Sequence, residues 1–216
     1  MNILQISTAV AAVLTVLLAG TASATQYVVT YTGTVSSGYD GTGVFGVAGA
    51  NLTADPFTAV YTYNTGVGVR ATVAGVSDSV TGGSYIGQPS VASAKLTING
   101  VTVSFSGAQA SSADAEPGYA AEYAGFGVND YVDNNISAAG LSATLNETLP
   151  FTAGSPTNGN FFQLSSLGRS ATGGFSTETI QISALPEPTT WAVLLMGVGL
   201  IGLQLRRARR QLPLVA

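Results

Sequence analysis

The chain of 216 residues contains no cysteine and no histidine. Without cysteine it forms no disulfide, so its fold rests on apolar burial and backbone pairing even in an oxidising compartment. Without histidine it has no Ser-His-Asp triad, no His-ligated zinc or iron site and no imidazole base. Basic residues are also few, seven Lys and Arg against eleven Asp and Glu. Only Arg70, Lys95 and Arg169 lie between residues 25 and 185; the ten acidic residues beside them give that stretch a formal charge of −7. This balance excludes nucleic acid as a partner, because neutralising phosphates requires Lys and Arg, and it argues against docking on anionic lipid. The only Trp, Trp191, falls outside the same stretch. Within that stretch nothing longer than a turn or two has a helical period. The chain also lacks a repeat of fixed period, which speaks against a propeller or a β-helix.

The two ends are apolar. Near the N-terminus an apolar run from Ala9 to Gly20 precedes Ala22, Ser23 and Ala24. This small-x-small pattern is the one at which signal peptidase cuts, so residues 1–24 are expected to be a signal peptide removed after Ala24. Its first residues include no Lys or Arg and leave the positive charge to the terminal amine.

The C-terminal end has three parts in order: Pro186, Glu187 and Pro188; an apolar run over 189–205; and Arg206, Arg207, Arg209 and Arg210. Seventeen helical residues span roughly 25 Å, short for a bilayer core of about 30 Å, but snorkelling arginines extend the usable length. Trp191 stands at the opposite end of the run, where an indole prefers the interface, and the arginine cluster keeps its own end cytoplasmic. The two prolines hold the preceding chain extended and open to a processing enzyme. This order of parts resembles the PEP-CTERM sorting signal of exopolysaccharide-producing Gram-negative bacteria, over residues 186–210. The resemblance implies transient insertion in the inner membrane, recognition of Pro186, Glu187 and Pro188 by an exosortase, and cleavage there. The chain departs from the usual pattern by continuing with QLPLVA.

Between the ends, residues 25–185 form a stretch of 161 residues, the size of one domain. In QYVVTYTGTV, Tyr27, Val29, Tyr31 and Val35 alternate with Thr30, Thr32 and Thr34, a half-buried strand. A Gly-rich turn, SSGYDGTG, leads to Val44 to Val47. Phe57, Ala59, Tyr61 and Tyr63 alternate in the same way, as do Val67, Val69, Ala71 and Val73. Asn99-Gly100 suits a type I′ turn and predicts a hairpin in which Ile98 faces Val101, Leu96 faces Val103 and Ala94 faces Phe105. Residues 106–135 carry five acidic residues with Tyr119, Tyr123 and Tyr131 and read as loops around one or two strands. Strands are also expected within 141–151, 160–167 and 175–183. The expected fold class is therefore all-β, a single sandwich or jelly-roll-like domain. The opening YTGTVSSGYDGTGVFG and the later FTAVYTYNT are also similar to the start of many PEP-CTERM proteins, a likeness that implies no chemistry.

Several patterns invite a functional reading. Gly41, Gly43 and Gly46 match G-x-G-x-x-G, as do Gly197, Gly199 and Gly202, but neither set ends a strand and opens a helix in the way a dinucleotide site requires. Asn129, Asp130, Asp133, Asn134 and Asn135 offer oxygen ligands for calcium in a spacing that matches no loop motif; a solvated acidic loop is the simpler reading. A glycosidase would need two carboxylates facing one cleft. Asn51, Asn135 and Asn146 begin N-x-[ST] sequons, although Ser and Thr on strand edges are better placed for any glycosylation. The expectation drawn from all this is a non-catalytic, cofactor-free and metal-free protein of structural or interaction type. It is handled by signal peptidase and exosortase and delivered to the cell surface or the exopolysaccharide matrix. The rival reading is a lectin-like module for exported exopolysaccharide, marked by aromatic rings with polar neighbours on one exposed face.

Overall fold

Alternating side chains and Gly-rich turns divide the chain between Gln26 and Leu185 into short extended segments. The computed structural model describes residues 25–125, 129–157 and 159–185, together with Ile201 and Arg206. The described strands are β1 (Gln26–Asp40), β2 (Ala50–Asn51), β3 (Pro56–Asn64), β4 (Val69–Val73), β5 (Ser77–Gly82), β6 (Ala92–Ile98), β7 (Val101–Phe105), β8 (Ala110–Glu116), β9 (Tyr119–Gly125), β10 (Asp130–Ala138), β11 (Leu149–Pro156), β12 (Phe161–Leu164) and β13 (Ala171–Leu185), with one 3-10 turn at Ser84–Ile86. The body is all-β, and residues 25–185 form one compact unit.

The strands belong to one hydrogen-bonded sheet in the order β4-β5-β8-β9-β10-β11-β13-β1-β3-β6-β7; β12 also bridges β10 and β13, and β2 adds to β1. The hydrogen bonding joins all the described strands, with β11 and β12 linking an arm of β4, β5, β8, β9 and β10 to an arm of β13, β1, β3, β6 and β7. Side chains of the two arms meet across the core, as Tyr31 of β1 does with Glu122 of β9 and Tyr61 of β3 with Asn134 of β10.

The aromatic alternation of β1 and β3 dictates this core. Tyr27, Val29, Tyr31 and Val35 are buried, as are Phe57, Ala59, Tyr61 and Tyr63. Register partners across the two strands, such as Tyr31 with Ala59 and Val29 with Tyr61, put a large side chain beside a smaller one. The opposite arm is lined by small residues, Ala113, Ala115, Ala120 and Ala124. Long tyrosines thus fill the space that the alanines leave, which is how a core of mixed sizes reaches close packing. Each buried tyrosine hydroxyl then needs a polar partner. Glu122, Asn134 and the carbonyl of Leu145 supply them to Tyr31, Tyr61 and Tyr63.

The hairpin around Asn99-Gly100 has the expected register, with Ile98 opposite Val101, Leu96 opposite Val103 and Ala94 opposite Phe105. Asn99 and Gly100 have φ of 53° and 77°, the positive pair that a type I′ turn requires. Elsewhere the structure corrects the sequence reading. Residues 106–135 hold β8, β9 and the start of β10. They escape a search for apolar alternation because their inward positions are alanines interrupted by Ser111, Glu122 and Asp130. Val44 to Val47 is a turn around buried Phe45, because Asp40 gathers the N–H groups there. The β4 alternation buries neither face: all five residues are exposed, since β4 is an edge strand.

Candidate functional site

Two parts of the chain bear on function, the tail and the outer face of the β8–β9–β10–β12 region. Of the residues assigned to sorting, Pro186, Glu187, Pro188, Trp191, Arg207, Arg209 and Arg210 lie outside the described residues, as do Ala22 and Ala24 of the signal-peptide cut. Arg206 is helical and exposed. The span 189–205 is outside the described residues except for Ile201, which is helical and exposed; among described residues no helix is long and apolar enough to cross a membrane. The body leads directly into the tail: Ala184 and Leu185 end β13, paired with Tyr27 and Gln26 at the start of β1. Pro186 has no N–H to continue that ladder.

The tail has a counterpart among known proteins: a family model described as the PEP-CTERM protein-sorting motif matches residues 184–210. The chain carries a PEP-CTERM sorting signal. The motif makes it an exosortase-targeted exported protein that passes the membrane. No curated protein and no solved structure matches the chain.

The carboxylates of the body divide into tied and untied groups. Asp40 accepts hydrogen bonds from the backbone N–H of Gly43, Val44 and Phe45 at 2.8, 2.8 and 2.6 Å. The N–H cradle of Gly43, Val44 and Phe45, inside the G-x-G-x-x-G match, is therefore filled by the chain's own carboxylate, where a dinucleotide site would hold a phosphate. Asp78 takes both arms of Arg70, at 2.9 and 2.5 Å, together with Thr72 and the N–H of Leu145. The Arg70 guanidinium and these donors hold its pKa down to about 2 against the opposing effect of burial. Asp130 accepts from the N–H groups of Ser165 and Ser166 and from the Ser166 hydroxyl, and it pairs with Arg169. Burial acts to raise its pKa, but these donors outweigh it and the net shift is downward. Glu122 is buried in the core, accepts from Tyr31, and is pushed up to about 8 by desolvation.

The five oxygen-bearing residues weighed as calcium ligands, Asn129, Asp130, Asp133, Asn134 and Asn135, are not all on one face. Alternation along β10 points Asp130 and Asn134 inward and Asp133 outward. Asn134 is engaged by Tyr61, and Asn135 binds Asn160 and Thr157. Among the described residues no three acidic groups gather in a metal-sized cluster. Of the sequons, Asn51 and Asn146 are exposed and Asn135 is buried.

Asp133 stands apart from the tied carboxylates. It lies on the outer face, opposite Tyr123 on β9 and opposite Phe161 on β12. It is half-buried, it accepts no hydrogen bond among the described residues, and burial pushes its pKa up to about 7. Tyr131, two residues before it, has its ring centroid 6.0 Å from Tyr123 and 5.3 Å from Phe161. Its hydroxyl donates to Gln163 Oε1 at 3.0 Å. A Cβ on Gly125 would lie 2.6 Å from the Tyr123 hydroxyl, so the missing side chain lets that ring lie down along the strand. Three rings, a carboxyl and an amide thus share one patch. The sequence of 106–135 reads as loops around one or two strands, whereas the structure sets Tyr119, Tyr123 and Tyr131 on β9 and β10. The signal that finds them is the alternation in YAAEYAG, with Tyr119 and Tyr123 on one face and Ala120, Glu122 and Ala124 on the other.

Proposed function

We infer that the protein is an exported, non-catalytic component of the cell surface or exopolysaccharide matrix, whose β-rich body serves a structural or interaction role. In this reading residues 1–24 are removed by signal peptidase and residues 189–205 hold the chain briefly in the inner membrane. Exosortase then cleaves near Pro186. The observation that carries the reading is the sorting motif at 184–210, which begins at the end of the last strand of the body.

A non-catalytic role is supported by how the acids are used. Asp40, Asp78 and Asp130 are held by backbone N–H groups, hydroxyls and arginines, and Glu122 faces Tyr31 in the core, out of reach of substrate. A paired-carboxylate hydrolase needs two such groups free in one cleft. The lectin-like reading is favoured by one feature, the patch of rings around Asp133.

Fractionation of an exosortase-bearing host tests the destination. The account expects the shortened body in the surface-bound or extracellular fraction and releasable with polysaccharide. A shortened body found only in the periplasm would overturn it.

A further inference from the structure

We propose that the outer face formed by Tyr123, Tyr131, Asp133, Phe161 and Gln163 is a binding site for a neutral, hydroxyl-rich glycan chain. This deepens the interaction role above and rests on it.

The rings supply the first half of the argument. Tyr123, Tyr131 and Phe161 make one continuous aromatic surface on three adjacent strands, and Phe161 is 37 % exposed. A pyranose ring presents a face of C–H groups to such a surface and turns its hydroxyls to the rim. Large rings with polar tips suit this mixture, because they offer contact area without demanding a wholly apolar partner.

The polar groups supply the second half. Asp133 sits between Tyr123 and Phe161 with no hydrogen-bond donor among the described residues. A half-buried carboxyl left without a donor is costly, and the fully buried Asp40, Asp78, Glu122 and Asp130 all have donors. Sugar hydroxyls are donors of the right reach. Gln163 holds Tyr131 through its carbonyl oxygen, and the Tyr131 oxygen keeps its lone pairs for a ligand. Ser112, opposite Tyr123 on β8, adds a hydroxyl at the rim.

Charge selects the kind of glycan. Asp114 and Glu116 lie on the same outer side of β8 as Ser112, adding negative charge near the patch. No basic residue of the body stands with them. Arg70 is bound to Asp78, Arg169 is bound to Asp130, and Lys95 is on β6 in the other arm. A uronate or sulfated chain would be repelled. A lipid surface with anionic headgroups would be repelled in the same way.

The test is affinity electrophoresis of the processed protein, purified from an exosortase-bearing host, in native gels containing dextran, galactomannan, a soluble β-glucan or alginate. Retardation by at least one neutral polysaccharide and none by alginate is expected. Phe161→Ala and Asp133→Ala should each weaken it about tenfold. Asp133→Ala should leave thermal stability at pH 7 unchanged or raised, since the buried carboxyl has no partner to lose. Tyrosine fluorescence titrated with the retarding polysaccharide gives a second readout, because the body has no Trp. Retardation by none of the neutral polymers, retardation by alginate alone, or unchanged binding in both variants would overturn the proposal. A protein correctly shortened and found at the surface yet unretarded would refute this site alone. A protein never exported would refute the sorting account instead.

Discussion

Asp78 and Glu122 show how differently two carboxyls can be treated within one core. Asp78 is surrounded by donors and is kept ionised, whereas Glu122 has one phenol and little water and is kept neutral. The signs of their effects on stability are opposite. Asp78 has a folded pKa below its ordinary value, so its contribution is present above about pH 4 and is lost as pH falls toward 2. Glu122 has a folded pKa above its ordinary value; stability is therefore full below about pH 4.5 and declines as pH rises toward about 8. Asp133 and Asp114, also raised by burial, act in the same direction as Glu122. The expected result is a stability maximum in the mildly acidic range. Glu122→Gln, which keeps an acceptor for Tyr31 without a titrating proton, should at least halve the fall in melting temperature between pH 5 and pH 8. Calorimetry across that range checks it, and an unchanged slope in the variant would show that Glu122 is not the titrating group.

At the scale of elements, legibility follows chemistry. The Asn99-Gly100 hairpin is legible because turn geometry and side-chain pattern give the same register, and each constrains it independently. β1 and β3 are legible because their inward residues are large and apolar. β8, β9 and β10 are not, because their inward side is built from Ala113, Ala115, Ala120 and Ala124 with Glu122 and Asn134 among them. Those polar groups answer tyrosine hydroxyls from strands far away in sequence, and no local window contains that pairing. The patch around Asp133 was half visible: its rings stand in the sequence, but their common face depends on β9, β10 and β12 being neighbours. The hairpin supplies a direct test of the local logic. Gly100 has φ of 77° and open space around the position of a Cβ, so Gly100→Val introduces backbone strain without a clash. A loss of about 1 to 2 kcal/mol in urea denaturation is expected. No change in midpoint would mean that the turn is not holding positive φ.

Across the whole molecule, the body is arranged so that its two ends meet. Gln26 and Leu185 are register partners on β1 and β13, two adjacent interior strands of the sheet. The pairing of β1 with β13 therefore lies within residues 26–185, inside both of the proposed cuts. The most direct test of this account is the intact mass of the protein recovered from membrane and extracellular fractions of an exosortase-bearing host, for wild type and for a variant with Pro186, Glu187 and Pro188 all changed to Ala. The account predicts a wild-type species outside the inner membrane that ends near residue 186, and a variant that keeps its C-terminal residues and stays in the inner membrane. A wild-type protein that retains residues 189–210 with no shorter species outside, or a variant shortened as efficiently as wild type, would contradict it.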